Sequence, residues 1–229
     1  LALLGWRFVV ALAAMSLCVA LGFIPVRLKG RRLGPLLRVA LFCPCLYFIG
    51  ETVGIRETTV TESGFIKSRF LDDKAGSVCL LTALQAMKKE SATPEYDTDF
   101  YFTNYEEVGH GAATVGGDAD ELLAVDMGCV GADLACKETQ VSVCVKDGHG
   151  PYDYEMVERL LSLAKANQID FAADVYPYYG SDVGAAWDAG ADVKGGLIGP
   201  GVHASHGMER THLKGVCATI SLLCAYLGL

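Results

Sequence analysis

Two acidic doublets, a lone aspartate and a knot of histidines are the residues of this chain with the most chemistry in them. Asp72 and Asp73 sit in Phe70-Leu71-Asp72-Asp73-Lys74-Ala75-Gly76, and Glu106 and Glu107 in Asn104-Tyr105-Glu106-Glu107-Val108-Gly109. A single doublet is ordinarily a solvated surface feature. Each of these, however, abuts an apolar segment and is followed by glycine within four residues. Carboxylates held near a core repel, lose hydration and raise one another's proton affinity, and a bound divalent cation relieves both costs. Asp126, in Ala124-Val125-Asp126-Met127-Gly128, has apolar neighbours on both sides. Its burial needs a partner: a metal, a helix N-terminus or a backbone turn would each serve.

The histidines are His110, His149, His203, His206 and His212. The last three fall within ten residues, beside Gly199-Pro200-Gly201 and Gly207. Such a cluster among turns more often lines a site than a lone histidine does. Spacing alone leaves open which of the three would bind a metal.

The elements that must position these groups read as α/β. A helix is expected from near Ala75 to Lys89, with Val78, Leu81, Leu84 and Met87 among its apolar positions. Asp99–Asn104, alternating and aromatic-rich, reads as a strand. Leu122–Val125 reads as a short buried strand ending at Asp126. Val141, Val143 and Val145 suggest a strand with one buried face. Pro151 and Asp153 open a helix through Leu160, Leu161 and Ala164. Ile169–Val175 reads as a strand, Val183–Ala189 as a short helix, Leu197–Ile198 as a buried strand end, and residues 212–228 as an apolar terminal helix. In open α/β sheets ligands bind at the carboxyl ends of strands, and the acids at 106, 107 and 126 are expected to follow strands.

The net charge of −8 hides a split. All 27 acids fall after residue 50, whereas residues 1–50 hold six of the 19 Lys and Arg. So acidic a body lacks the basic surface that phosphate binding requires, which argues against a nucleic-acid partner. The nine cysteines are irregularly spaced, form no CxxC pair and mostly lie in apolar runs. They read as reduced, buried thiols of a cytoplasmic protein rather than as a disulfide framework.

Residues 1–49 stand apart. Phe8–Val26 runs 19 residues without a charge, with Arg27, Lys29, Arg31 and Arg32 after it. That length suits a membrane helix with its basic flank in the cytoplasm. A mistranslated or chimeric segment, or an apolar stretch packed elsewhere, fits the same composition.

Together, the segments from about residue 50 to Leu229 resemble the glutamyl-aminopeptidase and tetrahedral (TET) aminopeptidase family, family 42 of the metallopeptidases. Ser68-Arg69-Phe70-Leu71-Asp72-Asp73-Lys74 is similar to the family's Leu-Asp-Asp/Asn-Arg/Lys segment, and Glu106-Glu107-Val108-Gly109 to its Glu-Glu-Val-Gly segment. Tyr179-Gly180-Ser181-Asp182 resembles the Gly-Thr-Asp turn near the substrate pocket, and Ser205-His206-Gly207-Met208-Glu209 the late His-Ser segment.

The resemblance implies an α/β, three-layer fold with helices on both faces of a sheet. It also implies two divalent ions, zinc or cobalt with manganese as a further option. Asp72, Glu107, Asp126 and His206 would be the ligands, with Asp72 bridging. Glu106, with Asp73 beside the bridging residue, would be catalytic, and Ser181 and Asp182 would contact substrate. His206 is preferred over His203 and His212 for its distance to the terminal helix. The family rule also places a cis peptide between Asp72 and Asp73. The implied activity is removal of the N-terminal residue from short peptides. The family's homo-oligomers use a β-rich assembly domain, for which residues 1–49 show no counterpart. Its first histidine ligand would precede the bridging aspartate, where this sequence has none. Residues 50–229 are therefore expected to form a partial catalytic domain lacking its first strands. An inactive homologue that binds peptide or metal, and a related two-metal deacylase, are the alternatives.

Overall fold

A computed structural model describes residues 58–115 and 117–229. The segment Phe8–Val26 and the expected boundary between residues 49 and 50 lie outside the described residues. Among the described residues no helix is long and apolar enough to cross a membrane.

Among the described residues eight strands form one mixed sheet: β1 (Thr59–Val60), β2 (Phe65–Ser68), β3 (Glu121–Val125), β4 (Gly128–Val130), β5 (Val141–Lys146), β6 (Phe171–Val175), β7 (Lys194–His203) and β8 (Glu209–His212). β7 is the axis. Along one edge it pairs in parallel with β3 and then β4. Along the other it pairs antiparallel with β5 and then β8. β6 continues the sheet beyond β5, and β2 and β1 beyond β8.

Among the described residues four helices cover the sheet: α1 (Leu71–Glu90), α2 (Tyr154–Ala166), α3 (Asp182–Asp188) and α4 (Leu213–Tyr226). Two neighbouring glycines of β7 report on its two faces, because successive strand residues point to opposite sides. A methyl group at Gly195 would strike Val183 and Trp187 of α3, whereas one at Gly196 would meet Met156 of α2. α2 and α3 therefore lie on opposite faces. α4 packs on α1 and α2 as well as on β5 and β7, so these three helices share a face. The result is the expected three-layer α/β arrangement.

The core is centred on Leu160 and Met156 of α2, Leu197 and Ile198 of β7, and Leu222 of α4, all fully buried. Truncating one such leucine to alanine costs about 2–5 kcal/mol. α2 begins where Asp153 accepts the Met156 N–H at 2.9 Å, as the sequence implied. Six of the nine cysteines lie among the described residues, and all six are free. Burial pushes the thiols of Cys79, Cys136 and Cys144 up to about 12, which keeps them inert.

Three local expectations are corrected. Asp99–Asn104 is a loop with no ladder partner among the described residues. There Phe100 packs on the core and Thr103 is half-buried, while Tyr101 and Phe102 point outward, so the two-residue alternation is not realised. β5 is buried on both faces over Val141–Cys144: α2 and α4 cover one, and Tyr176, paired with Ser142 Oγ at 2.7 Å, lies against the other. Leu197 and Ile198 lie inside β7 rather than at its end. The strand runs on through Gly199-Pro200-Gly201, with Pro200 opposite Val141.

Candidate metal centre

Three chain segments converge beside the carboxyl ends of β3 and β7. The first leaves β2 and enters α1. Asp72 and Asp73 fall at this junction with non-helical backbone angles, and the peptide bond between them is cis. The second is a single 3-10 turn, Glu106–Val108. It follows a loop rather than a strand, which corrects the placement expected for Glu106 and Glu107. The third is the turn at residues 204–208 joining β7 to β8, where Gly207 donates to the Ala204 carbonyl at 2.9 Å.

The convergence brings Asp72, Glu107 and His206 together, each offering a donor atom within 4.8 Å of the others. His206 Nε2 lies 3.0 Å from Glu107 Oε2 and 3.4 Å from Asp72 Oδ2. The Asp72 carboxylate is buried, with 9% of its side chain exposed, while Glu107 and His206 face solvent. Ser205 Oγ donates to Asp72 Oδ2 at 2.5 Å. His203 ends β7 instead. His212 caps α4, its Nδ1 accepting from Lys214 N at 2.9 Å.

Asp126 follows β3 directly and is buried; its amide donates to Ile198 O at 3.0 Å, and its Oδ1 accepts from Met127 N at 2.6 Å. Burial, then the charges of Asp72 and Glu106, pushes its carboxyl well above the usual range. Asp73 is raised by burial and by Asp126, although its Oδ1 accepts the Gly76 N–H at 3.0 Å and so caps the first turn of α1. Burial first, then the charges of Asp182, Glu107 and Asp72, takes Glu106 up to about 7, against a smaller pull from His206. Glu107 is also raised, by burial and then by Asp72, with His206 opposing. Burial is thus the first cause at each of these carboxyl groups, and their charges on one another add to it.

The two residues of the 181–182 turn part company. Ser181 is buried and its hydroxyl is engaged, accepting from Val183 N at 3.3 Å as the cap of α3 and pairing with Tyr152 OH at 2.9 Å. Asp182 is turned toward the site. Its Oδ2 accepts from Thr103 at 2.5 Å, and its Oδ1 is buried with no hydrogen-bond partner. Gly111 permits this approach: a Cβ there would lie 2.6 Å from Asp182 Oδ1 and 2.9 Å from the Glu106 amide.

Backbone conformation marks the same segments. Phe70, Tyr105, Ala204 and His206 all adopt left-handed angles (φ 59–66°) without being glycine. Such residues cost about 1–3 kcal/mol each and cluster where function fixes geometry. Tyr105 is further held by stacking on His110, with centroids 5.2 Å apart.

Sequence reasoning did not assign roles to three residues here. Ser205 touches Asp72, Tyr179 OH donates to the Met127 carbonyl beside Asp126 at 3.0 Å, and Glu209 is buried beneath the 204–208 turn. Glu209 alone left a signal: an acid three residues past His206, at a position that should be exposed if the turn were only a turn.

The donor set fits divalent metal. It combines one imidazole with carboxylates, the mixture that zinc and cobalt accept. The crowding of Asp72, Asp73, Glu106, Glu107 and Asp126 is a charge excess that a cation would offset.

A family model described as M42 glutamyl aminopeptidase matches residues 49–222. The chain is 46% identical over 168 residues to Putative aminopeptidase YhfE of Bacillus subtilis, covering 73% of this chain and 49% of that protein. Among solved structures it is similar to a TET aminopeptidase from a marine sediment archaeon of the Thaumarchaeota. The TM-score is 0.70 at 20% identity, over 74% of this chain and 51% of the other. It is also similar to the Pyrococcus horikoshii TET1 peptidase, which assembles into a tetrahedron or an octahedral shell. There the TM-score is 0.65 at 22% identity, over 76% of this chain and 53% of the other. The chain thus spans about half the length of the relatives it matches. With the family model covering most of the chain and the Bacillus relative so close, the chain belongs to the M42 glutamyl aminopeptidase family.

Proposed function

We propose that this chain carries the catalytic centre of a metal-dependent aminopeptidase that releases the N-terminal residue of short peptides. The observation that carries the reading is the meeting of Asp72, Glu107 and His206 within 4.8 Å, from three separate segments, with the buried Asp126 close behind. Family membership supports it.

Asp72, Glu107, Asp126 and His206 would hold two divalent ions, zinc or cobalt or else manganese. When bound, the ions would supply Lewis acidity to the attacking water and to the scissile carbonyl. Glu106 would accept the water's proton and return it to the leaving amine nitrogen. A proton affinity near 7 suits a group that must both take and give a proton at neutral pH. Asp182 would help to keep Glu106 in that range, and of the two residues in the 181–182 turn it is the one that would contact substrate, since it faces the site. Asp73 would act through position, capping α1 and so aiming the turn that presents Asp72. Ser181 would place Asp182 by capping α3. The surplus of carboxylates would attract the cationic free amine that distinguishes a peptide's N-terminus.

The test is release of an aminoacyl chromophore by the full chain with added zinc, cobalt or manganese, alongside the metal content per chain. Glu106→Gln should lower turnover about 10²–10⁴-fold, the usual weight of a general acid/base, with metal content unchanged. Equal release by the variant, or release indifferent to metal, would sink the assignment.

A further inference from the structure

The carboxylate of Glu209 belongs to neither the proposed ligands nor the proposed base, yet it is 2% exposed and lies between two ligand-bearing segments. Its Oε2 accepts from the backbone amides of Leu71 and of Asp72, the latter at 3.1 Å. Its Oε1 accepts from the amide of His206 at 3.1 Å. Three donors from two turns thus converge on one side chain.

The topology explains how it gets there. Glu209 is the first residue of β8 and pairs with Ser68, the last residue of β2. Both strands therefore end beside the site: β2 leads forward into Asp72, and β8 leads back into the turn that carries His206. The amides of Leu71 and Asp72 open α1, where N–H groups have no partner within the helix. The backbone on either side is held in the left-handed region at Phe70 and at His206 itself. Left without an acceptor, each of these turns would relax toward ordinary angles and carry its ligand away.

We propose that Glu209 is the positioning residue of the metal centre: a buried carboxylate clamp that fixes Asp72 and His206 relative to each other through their backbone amides. The inference rests on the metal-centre reading given above. Glu209 touches no reacting atom; it acts through the ligands. Ser205, whose hydroxyl reaches Asp72 from the turn beside His206, is a second and weaker tie between the same segments.

The experiment compares the full chain with Glu209→Gln, using Zn²⁺ alone in competition with a chromophoric chelator, and amide exchange of the metal-free protein. In the variant one acceptor oxygen becomes an NH₂ that faces an amide donor. Zinc should bind about 10–100-fold more weakly, the usual effect of losing a partner that orients metal ligands. Exchange at Leu71, Asp72 and His206 should accelerate about tenfold or more, as expected for lost hydrogen bonds to a charged acceptor. Thr211→Val removes another buried hydrogen bond of β8, from Thr211 Oγ1 to the Gly201 carbonyl at 2.7 Å. It should cost stability and leave zinc affinity alone.

Unchanged zinc affinity in a folded Glu209→Gln overturns the clamp while leaving the metal centre standing, as does an equal loss in Thr211→Val. A wild-type chain that binds no zinc removes the metal reading and this inference with it, even where the three amides still lose protection. Should Glu209→Gln not fold, Glu209→Asp keeps the charge and shortens the reach. It should then weaken zinc measurably, and wild-type affinity in that variant overturns the proposal.

Discussion

Asp147 and Asp126 are both buried aspartates at the carboxyl ends of central strands, and they are treated in opposite ways. Asp147, after β5, accepts from His149 N at 2.8 Å, from Gly150 N at 3.3 Å and from Tyr152 OH at 2.7 Å. Donors surround it. Asp126, after β3, accepts from the amide of Met127, has the Tyr179 hydroxyl beside it, and otherwise faces Asp72, Asp73 and Glu106. A carboxylate that a protein buries for its own stability receives donors. One buried among other carboxylates carries a charge excess that a cation would offset, and the contrast distinguishes a structural turn from the candidate site without reference to any relative.

The largest effect that would test this contrast falls on the backbone beneath Asp126. A Cβ at Gly199 of β7 would overlap the Asp126 carbonyl oxygen, and both partners are main chain that cannot step aside. Gly199→Ala should cost more than about 4 kcal/mol, in the class of severe single substitutions, and leave no cooperatively folded protein by circular dichroism. A folded variant would show that the grip on Asp126 is looser than described.

Next come the two aspartates themselves. In metal-free protein Asp147→Asn leaves a buried donor facing an NH₂ group and should cost about 1–3 kcal/mol. Asp126→Asn should do the reverse, raising the melting temperature of the metal-free chain by removing a crowded charge while weakening metal binding. If both substitutions lower the melting temperature alike, the distinction between the two carboxylates fails.

Metal addition sharpens the same point. Zinc at a hundredfold its dissociation constant should stabilise the wild-type chain by about 2.7 kcal/mol, and by less in Asp126→Asn. Asp147→Asn should retain the full increment. Calorimetric scans with and without a chelator give the difference.

The smallest effect concerns acid. Burial raises the proton affinity of Glu121, but the hydrogen bonds from Arg159 and Tyr226 outweigh it and hold the carboxyl below its usual range. A depressed carboxyl contributes stability that is present above its unfolded value and is lost as pH falls through the folded one. Glu121→Gln should therefore cost about 0.5–1 kcal/mol at pH 7, discounted for the exposure of Arg159, and progressively less as pH falls through the folded value. A cost that grows on acidification would reverse the sign.

Much of the frame was legible in the sequence because its signals were local. Asp153 announced α2, the run before Asp126 announced β3, and the apolar stretch after His212 announced α4. The extent of β7 was not legible, since Gly199-Pro200-Gly201 carries the residues of a turn. Only the close backbone approaches at Gly199 and Gly201 show why a strand needs glycine there. The aromatic segment before Asn104 suggested a strand by composition, yet composition does not supply a ladder partner. At the site, the choice of His206 over its neighbours rested on resemblance. In the structure His212 is occupied as a cap and His203 ends a strand, both of which are facts of register invisible to spacing. Glu209 was overlooked because its partners are backbone amides, so that the acid three residues past His206 was visible but its role was not.

The path of the chain through β7 has a consequence for when the site comes into being. β3 cannot be paired until residues 194–198 exist, and Asp72 meets Glu209 across a separation of 137 residues. Contacts so distant are slow to form, since the entropy of closing the loop comes before any reward. As the chain leaves the ribosome, Asp72, Glu107 and Asp126 emerge before His206, the imidazole proposed as a ligand. A nascent chain thus holds scattered carboxylates with little claim on any cation. On the proposed reading, metal capture would belong to the last act of folding, with the ion a latch on a sheet already closed rather than a seed for it.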